Sequence, residues 1–599
     1  MTTQKYAVNQ HLIETLLAWV KSGEIAIPEI QRPFVWEATQ VRDLLDSLYQ
    51  GYPVGYIIAW KNATVRLKDG SLSEGKKILI DGQQRVTALT AALLGQKVVN
   101  KEYKPINIKI AFHPIDQRFE VSNPAIEKDK AWLPDVAPIV SGELRVRKLV
   151  TDYCEANENA DPDMIEDRIE LLKGITKKQI GMIELAGELE IETVTEIFIR
   201  INSKGVVLSQ ADFAMSKIAA NEEMGGNLLR KAIDYFCHLA RAPEFANHIE
   251  DNDIDFANTP FWPAIKWLKK DNEDLYDPSY SDLLRVAFMS QFPRGKIADL
   301  VGLLSGRNFE TRSYEREIVE DSYKKLTAGV MDFINETHFQ RILMIIKSAG
   351  FVTSSLIRSA GAINFAYVLY LRLKRQYGNN PQIESWVRRW FVMSLLTGRY
   401  SSSAESIMDY DIRQLEQHSF EDILKQVESA ELSDAFWHVG LVQDFTTSSS
   451  SRPSLAVFWA AQAKLGDRGL LSKDITVREL LTHQGDIHHI YPKNYLKKLG
   501  RTQSEYNQVA NYTFTQQEIN IKIGDRDPID YLSQVISQCD SGKPIFGGIA
   551  TRDDLMNNLV ENCIPIELLE SNGLNNYQDF LAKRRILMAQ KIQRYYQQL

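Results

Sequence analysis

The chain has 599 residues, of which 44% are hydrophobic and 25% are charged, and its formal net charge is −8 at pH 7. This length exceeds a single hydrophobic core, so several domains are expected. The acidic balance argues against a protein that coats nucleic acid nonspecifically, because such binding neutralises many phosphates. Since the sequence has neither a membrane-spanning apolar run nor a signal peptide, it predicts a cytoplasmic protein without a membrane partner.

The first predicted element is an amphipathic helix over residues 6–22, where apolar side chains recur at helical spacing before Gly23. An extended stretch follows with Gln31 and Arg32, two polar residues of a type usually exposed. A helix is then predicted over residues 41–49, and an apolar strand over residues 53–60.

A strand-to-helix junction is predicted next. A strand of the buried type leads into Asp81 and Gly82, and a helix continues from Val86 to Leu94. Such a junction presents backbone N–H groups and a helix N-terminus, which together bind phosphate. Arg85 would add a bidentate donor, and Asp81 could hold a metal or activate a water.

Three segments together resemble the N-terminal domain of GmrSD-type, modification-dependent (type IV) restriction proteins, a domain related to the ParB/sulfiredoxin-like fold. They are residues 31–36 (QRPFVW), 81–85 (DGQQR) and 197–205 (IFIRINSKG). The resemblance covers roughly residues 6–225 and implies a module that senses DNA and binds or hydrolyses a nucleoside triphosphate. The nucleotide site that it implies consists of Asp81, Gly82, Gln83, Gln84 and Arg85, with Gln31 and Arg32 opposite and Asn202 and Ser203 closing it. The choice among GTP, CTP, UTP and ATP stays open.

The middle of the chain is strongly helical in pattern, with segments such as 228–239, 318–336 and 363–377. A run of threonine and serine before Pro453 is the best linker candidate. These features predict three domains, with boundaries at 1–225 for the DNA-sensing domain, 226–445 for a helical spacer and 446–599 for a C-terminal domain.

The C-terminal domain contains an adjacent histidine pair, His488 and His489, followed by Pro492. Hydrolysis of a phosphodiester needs a deprotonated water and a divalent cation that neutralises charge on the phosphate oxygens. Since neighbouring strand residues point to opposite faces, the pair can serve one site only if the strand ends or bends there. Proline, which cannot continue a central strand, predicts such an end.

With two later asparagines, this pattern resembles an HNH (ββα-metal) nuclease. The resemblance implies that His489 is the general base and that His488 is a metal ligand, in a position more often acidic. It also implies that Asn511, on a second strand over residues 509–514, orients the base or the loop. Asn520, on a helix over residues 516–523, would complete the metal site.

The ligand set predicts Mg²⁺ or Mn²⁺, because with only histidine and asparagine as firm ligands the ion keeps several waters. Asp486 could add a carboxylate directly or support the ligands from behind. Lys493, Lys497, Lys498 and Arg501 are candidates for binding DNA phosphates, although a solvated helix face explains them equally well. A last helix over residues 577–596 is predicted to pack on the nuclease domain and to carry a basic outer face, which includes Arg584 and Lys591.

Together the patterns predict an α+β multidomain protein that is predominantly helical. It has an N-terminal ParB/sulfiredoxin-like α/β domain, a helical middle region and a C-terminal ββα-metal domain within helices. The predicted function is an anti-phage endonuclease that nicks or cleaves double-stranded DNA carrying hypermodified cytosine or phosphorothioate, with a homodimer as one route to cutting both strands. Two alternatives stay open: a nucleotide-switched DNA-binding or scaffold protein with an inactive HNH fold, and a toxin-like nuclease acting on unmodified nucleic acid.

Overall fold

The computed structural model describes most of the chain, namely residues 5–26, 36–61, 77–99, 105–158, 160–186, 189, 197, 210–221, 223–270, 274–483, 485, 487–569 and 576–599. The chain divides into two compact units, Met1–Thr259 and Pro260–Leu599. Helices predominate among the described residues, which confirms the predominantly helical fold class. No described helix is both long and apolar enough to cross a membrane.

The first unit contains a mixed β-sheet and, among the described residues, two separate pairs of strands. Its strands are β1 (Tyr6–Leu12), β2 (Ile25–Ala26), β3 (Tyr56–Lys61), β4 (Lys77–Asp81), β5 (Val98–Val99), β6 (Pro105–Ile106), β7 (Ile110–His113), β8 (Arg118–Val121) and β9 (Gln179–Leu185). Among the described residues, five strands form one sheet in the order β1, β9, β3, β4, β2. The β1–β9 and β3–β4 pairs are antiparallel, and the β3–β9 and β2–β4 pairs are parallel. Because β3 and β4 are antiparallel, the start of β3 and the end of β4 lie at the same end of the sheet.

The predicted first helix is wrong over its first half. Tyr6–Leu12 form β1, which pairs with β9 from Tyr6 opposite Leu185 to Leu12 opposite Gln179. The helix begins only at Ile13 and ends, as predicted, at Gly23, whose φ of 73° is left-handed. The apolar residues of this segment recur at helical spacing, yet the segment forms a strand, because β1 is stabilised by a partner far away in the sequence. Periodicity does not report such a partner.

Helices cover one face of this sheet. The helices of the first unit are α1 (Ile13–Ser22), α2 (Ala38–Gln50), α3 (Gln83–Leu94), α4 (Ala137–Val140), α5 (Val146–Ala156), α6 (Pro162–Lys173), α7 (Gln210–Ala220), α8 (Gly226–Leu239), α9 (Phe245–Asn252) and α10 (Ile254–Ala257). Leu45 of α2, Leu89 of α3 and Ile57 of β3 are fully buried in one apolar core. Burying such side chains contributes roughly 1.5–3 kcal/mol each.

The second unit consists mainly of helices. They are α11 (Phe261–Ile265), α12 (Tyr280–Gln291), α13 (Ile297–Leu304), α14 (Arg316–Ile334), α15 (Glu336–Ser348), α16 (Ala360–Tyr377), α17 (Gln382–Thr397), α18 (Ala404–Gln417), α19 (Phe420–Glu431), α20 (Leu441–Asp444), α21 (Pro453–Leu465), α22 (Val477–Thr482), α23 (Lys493–Lys498), α24 (Gln503–Tyr506), α25 (Gln517–Ile523), α26 (Pro528–Ser541), α27 (Arg552–Glu561) and α28 (Tyr577–Gln597). The predicted helix over residues 318–336 corresponds to α14, which ends at Ile334, because the side chain of Asn335 caps the next helix, α15. Nearly all of α21 is buried, so it is a central helix of this unit.

A short strand pair lies among these helices. β10 (Ile487–His489) is antiparallel to β11 (Tyr512–Phe514), and α25 follows directly. We refer to residues 487–523 as the ββα segment. It has the order of elements predicted from the sequence, although Val509–Asn511 form a short 3₁₀ turn before the second strand.

The C-terminal helix α28 packs within the second unit as predicted, but the prediction that its basic residues form an outer face is partly wrong. Arg584 is fully buried and Lys591 is only 5% exposed. Lys591 forms a buried ion pair with Asp467 and donates to the carbonyl oxygen of Glu561 at 2.7 Å. Both basic side chains therefore hold the interior of the unit together.

The serine-rich segment predicted as a linker contacts the ββα segment. The backbone N–H of Val509 donates to the carbonyl oxygen of Thr447 at 2.8 Å. The hydroxyl of Tyr512 donates to the carbonyl oxygen of Ser448 at 3.3 Å. The three predicted domain boundaries stay predictions, and this contact fixes one end of the linker segment to the second strand.

Candidate functional site

The histidine pair lies at the end of a strand. In β10, His488 is opposite Thr513 and His489 is opposite Tyr512. β10 ends at His489, and α23 begins directly after Pro492. The strand thus ends where the sequence requires it to, if both imidazoles are to serve one site. Both side chains are half-buried.

His489 is held in a specific environment. Its Nε2 lies 3.0 Å from Oδ1 of Asn507, and its ring meets the Tyr512 ring edge-on at a centroid distance of 5.3 Å. Burial lowers the pKa of His489, partly offset by the Asn507 hydrogen bond, while the charges of Lys493 and His488 lower it further. The neutral imidazole is therefore favoured near neutral pH. If Oδ1 of Asn507 accepts from Nε2–H, the lone pair lies on Nδ1.

Asn511 fixes the loop that follows His489. Its fully buried side chain accepts from the backbone N–H of Tyr491 at 2.8 Å and donates to the carbonyl oxygens of Tyr491 and Tyr506 at 3.0 and 3.2 Å. Its own carbonyl oxygen accepts from the N–H of Ile490 at 2.9 Å. These contacts hold the loop after His489 in place. The two roles that the sequence offered for Asn511, orienting the base or the loop, stay predictions.

Asn520 lies on α25, directly after the strand pair. Its side chain is half-buried and makes no hydrogen bond to another residue in the part of the chain that the structure describes. Asp486, the third candidate ligand, lies outside the described residues. Nowhere in the described ranges do three or more His, Cys, Asp or Glu side chains gather at a point that could hold a metal. Any cation held by His488 and Asn520 would take most of its remaining ligands from water or substrate.

Arg584 is a structural residue of this region that the sequence did not identify. From α28 it donates to the carbonyl oxygens of Ala510 and Tyr512, both at 2.8 Å, and to that of Asn562 at 3.1 Å. Burial lowers the pKa of its guanidinium to about 10. The run of basic residues on this helix predicted an exposed face. Only the position of α28 behind β11 shows that Arg584 is internal.

The four candidate phosphate ligands are not equivalent. Lys498 pairs with Asp525, and Arg501 pairs with Glu505 at 3.1 Å. Lys493 and Lys497 are exposed, lie 5.6 and 5.8 Å from the centroid of the Tyr506 ring and pair with no carboxylate among the described residues. The latter two are therefore the cations best placed to meet an anionic ligand.

The second candidate site is the DGQQR junction, residues 81–85. Gly82 has a left-handed φ of 90°, and a β-carbon there would lie 3.1 Å from the side chain of Ile57, so this turn requires glycine. Gln83 and Gln84 are buried at 6% and 9% exposure, and α3 begins at Gln83. Helix α3 thus begins three residues earlier than predicted.

Arg85 contacts both strands that meet at this junction, β3 and β4. Its guanidinium donates to the backbone carbonyl oxygen of Tyr56 and lies 3.6 Å from the carboxylate of Asp81. The other predicted nucleotide-site residues, Gln31, Arg32, Asn202 and Ser203, lie outside the described residues. The described part of the junction therefore consists of a glycine turn, two buried side-chain amides and the Asp81–Arg85 ion pair at one end of the central strands.

Residues 13–219 match the model of a family described as the GmrSD restriction endonuclease, N-terminal domain. The match covers β2, β3, β4 and β9 of the mixed sheet and the DGQQR junction, whereas β1 lies before it. It supports the predicted GmrSD-type N-terminal domain. The description of this family suggests a restriction endonuclease role and implies DNA as the substrate. The matched range ends well before the ββα segment.

A similar protein is an uncharacterized protein of the archaeon Methanocaldococcus jannaschii. It is 22% identical over 568 residues, which are 88% of this chain and 87% of that protein. The similarity therefore extends over parts of both compact units. The sequence similarity thus reaches beyond the N-terminal domain.

Proposed function

We propose that this protein is a metal-dependent DNA endonuclease of the HNH type, in which the ββα segment cuts DNA and the N-terminal domain senses modified DNA. One observation carries the proposal. Two adjacent histidines end a strand whose antiparallel partner is preceded by a buried, loop-holding asparagine, while the next helix presents a second asparagine. This arrangement supports a site with a base on one side of a phosphodiester and ligands for a cation on the other.

His489 is the general base in this proposal. Its lowered pKa keeps the imidazole neutral near pH 7, as a base that deprotonates water requires. Asn507 would hold the ring with Nε2 protonated and Nδ1 directed to the attacking water. Asn511 acts one step away, because it fixes Tyr491 and thereby the chain that leaves His489.

His488 and Asn520 would hold the divalent cation, with Asp486 as a further candidate ligand. When bound, Mg²⁺ or Mn²⁺ would neutralise negative charge on the phosphate and on the leaving oxygen. The donor set fits such an ion, because Asn520 offers an amide oxygen that no described residue occupies. A sparse protein shell suits Mg²⁺, which keeps several of its waters.

The N-terminal domain would bind a nucleoside triphosphate at the DGQQR junction. Arg85 can pair with phosphate oxygens, and it lies in the first turn of α3, where backbone N–H groups can also bind phosphate. Nucleotide turnover or release would relieve an inhibited state of the nuclease. Lys493 and Lys497, which no described carboxylate neutralises, would contact the DNA backbone beside the cutting site.

The test is cleavage of three phage genomes that carry hypermodified cytosine, phosphorothioate linkages or no modification, with Mg²⁺ and with or without each nucleoside triphosphate. We expect cutting of one modified genome, loss of cutting in His489→Ala, and altered nucleotide dependence in Asp81→Ala. His483→Ala is the matched control. This exposed histidine lies six residues before His489, its Nδ1 is 2.8 Å from the carbonyl oxygen of Glu479, and its loss should leave cutting unchanged. Cutting that survives His489→Ala would refute the catalytic assignment.

A further inference from the structure

Two lysines of α23 lie over one aromatic ring. Lys493 and Lys497 are four residues apart, so their side chains project from the same face of the helix. Their ammonium nitrogens lie 5.6 and 5.8 Å from the centroid of the buried Tyr506 ring, within the range in which an aromatic face attracts a cation. Both lysines are exposed, and neither pairs with a carboxylate among the described residues. Since the two like charges repel each other, the pair favours an anion in front of it.

The first of these lysines lies near His489. Tyr506, over which the Lys493 ammonium lies, directly precedes Asn507, whose Oδ1 is 3.0 Å from Nε2 of His489. Burial is the main cause of the lowered pKa of His489, and the positive charge of Lys493 lowers this pKa further. The ammonium is therefore within electrostatic reach of the imidazole. Lys497 lies about 6 Å further along the helix axis.

We propose that Lys493 is a catalytic residue, whose ammonium binds a non-bridging oxygen of the phosphate that is cut, and that Lys497 binds a neighbouring phosphate of the same strand. The base and the Lys493 ammonium would then meet the same phosphodiester, because both are held against the segment of Tyr506 and Asn507. The inference rests on the proposed endonuclease function. It gives the two lysines different roles, whereas that function requires only that they contact DNA.

The difference follows from where charge develops in the reaction. The oxygen of the attacking water bonds to phosphorus as His489 takes one of the water protons. The bond between phosphorus and the leaving oxygen breaks with its electron pair, and the leaving oxygen takes up a proton from solvent. An ammonium fixed on the reacting phosphate stabilises charge that develops in the transition state, so Lys493 should act mainly on the rate. A cation on an unreactive phosphate acts mainly on affinity.

A uniform role in binding is the competing explanation, because exposed lysines beside a nuclease site commonly contact the DNA backbone without taking part in the reaction. The two explanations differ once the DNA is fully bound. Loss of a backbone contact is then no longer felt, whereas loss of a group on the reacting phosphate still lowers the rate of cutting. The rate at saturation and the affinity must therefore be measured separately.

The experiment combines single-turnover cleavage at saturating protein, with Mg²⁺ and the phage DNA that the wild type cuts, with binding of the same DNA in EDTA. We expect Lys493→Ala to lower the single-turnover rate about 10²- to 10³-fold and Lys497→Ala to leave it within about threefold of the wild type. Each variant should reduce the salt slope of binding by about 1. Lys493→Arg, which keeps a cation, should recover most of the lost rate.

Two further variants and one structural measurement serve as controls. Lys583→Ala is the matched control, because this exposed lysine of α28 already pairs with Glu567 at 2.8 Å and its loss should change neither rate nor binding. Hydrogen–deuterium exchange of peptides that contain His489 should be the same in Lys493→Ala and in the wild type. If exchange is faster, Lys493→Met, which keeps most of the apolar side chain, should show the same loss of rate.

The outcomes separate the inference from the function on which it rests. If the wild type cuts no DNA, or if His489→Ala still cuts, the endonuclease assignment fails and the inference fails with it. If His489→Ala is inactive but Lys493→Ala cuts saturated DNA at the wild-type rate, the function stands and Lys493 only binds the backbone. Equal losses of rate in Lys493→Ala and Lys497→Ala would also overturn the inference, because they would show that the two lysines have one role.

Discussion

Replacing Asn511 by alanine tests how the loop after His489 is held. The fully buried amide makes three hydrogen bonds to backbone groups of Tyr491 and Tyr506. Each bond contributes roughly 0.5–1.5 kcal/mol, and each backbone group left buried without a partner costs about 1–3 kcal/mol. Since part of this loss is recovered by rearrangement and water, we expect Asn511→Ala to destabilise the ββα segment by about 2–4 kcal/mol.

Hydrogen–deuterium exchange is the appropriate assay, because a chain with two compact units does not unfold in a single two-state step. A loss of about 2–4 kcal/mol accelerates exchange of protected amides roughly 30- to 900-fold. The faster exchange should appear in peptides that contain Ile490 and Tyr491, and cleavage should be lost with it.

Asn520→Ala provides the matched control. The Asn520 side chain makes no hydrogen bond to another described residue, so this variant should change stability by less than about 0.5 kcal/mol while cleavage is lost. Wild-type exchange in Asn511→Ala would refute the positioning role of Asn511. Fast exchange in Asn520→Ala would instead assign a structural role to Asn520 and weaken its assignment as a ligand.

Three other predictions concern the same region. Arg584→Met should destabilise the region around β11 by roughly 2–4 kcal/mol, because it leaves buried carbonyl oxygens without a donor. Hydrogen–deuterium exchange of peptides that contain Ala510 and Tyr512 measures this loss, and exchange equal to the wild type would contradict the contacts described for α28. Burial lowers the pKa of His489 below its ordinary value of 6.5, so the imidazole stays neutral at pH values at which a free histidine is already protonated. Cleavage should therefore decline only at a pH below 6.5. Asn507→Ala removes a hydrogen bond that raises this pKa and should shift the decline to still lower pH; a rate profile that shifts upward would reverse the assigned effect. Lys497→Ala should weaken DNA binding and reduce the salt slope by about 1, whereas Lys498→Ala, whose ammonium is already paired, should have a smaller effect.

Several features of the candidate sites could be predicted because they depend on residues near one another in the sequence. The strand ending in Asp81, the glycine turn after it and the helix beyond follow one another within a few residues. The strand with the two histidines, its end before Pro492 and the helix carrying Asn520 were likewise predicted from local patterns. Strand alternation, proline and glycine affect the backbone within a few residues, so their effects can be recognised without knowledge of the tertiary structure.

Tertiary structure decided the rest, because it depends on partners that no local pattern identifies. β1 became a strand because β9, more than 150 residues later, completes its hydrogen bonds. Arg584 is internal because α28 lies behind β11, and Asn507 became the partner of His489 only when the strand pair formed. The sequence by itself thus determined which candidate site residues the chain carries and in which local elements they lie. Only the packing of distant segments determined which side chains hold those elements in place, since burial and hydrogen-bond pairing are properties of the folded chain.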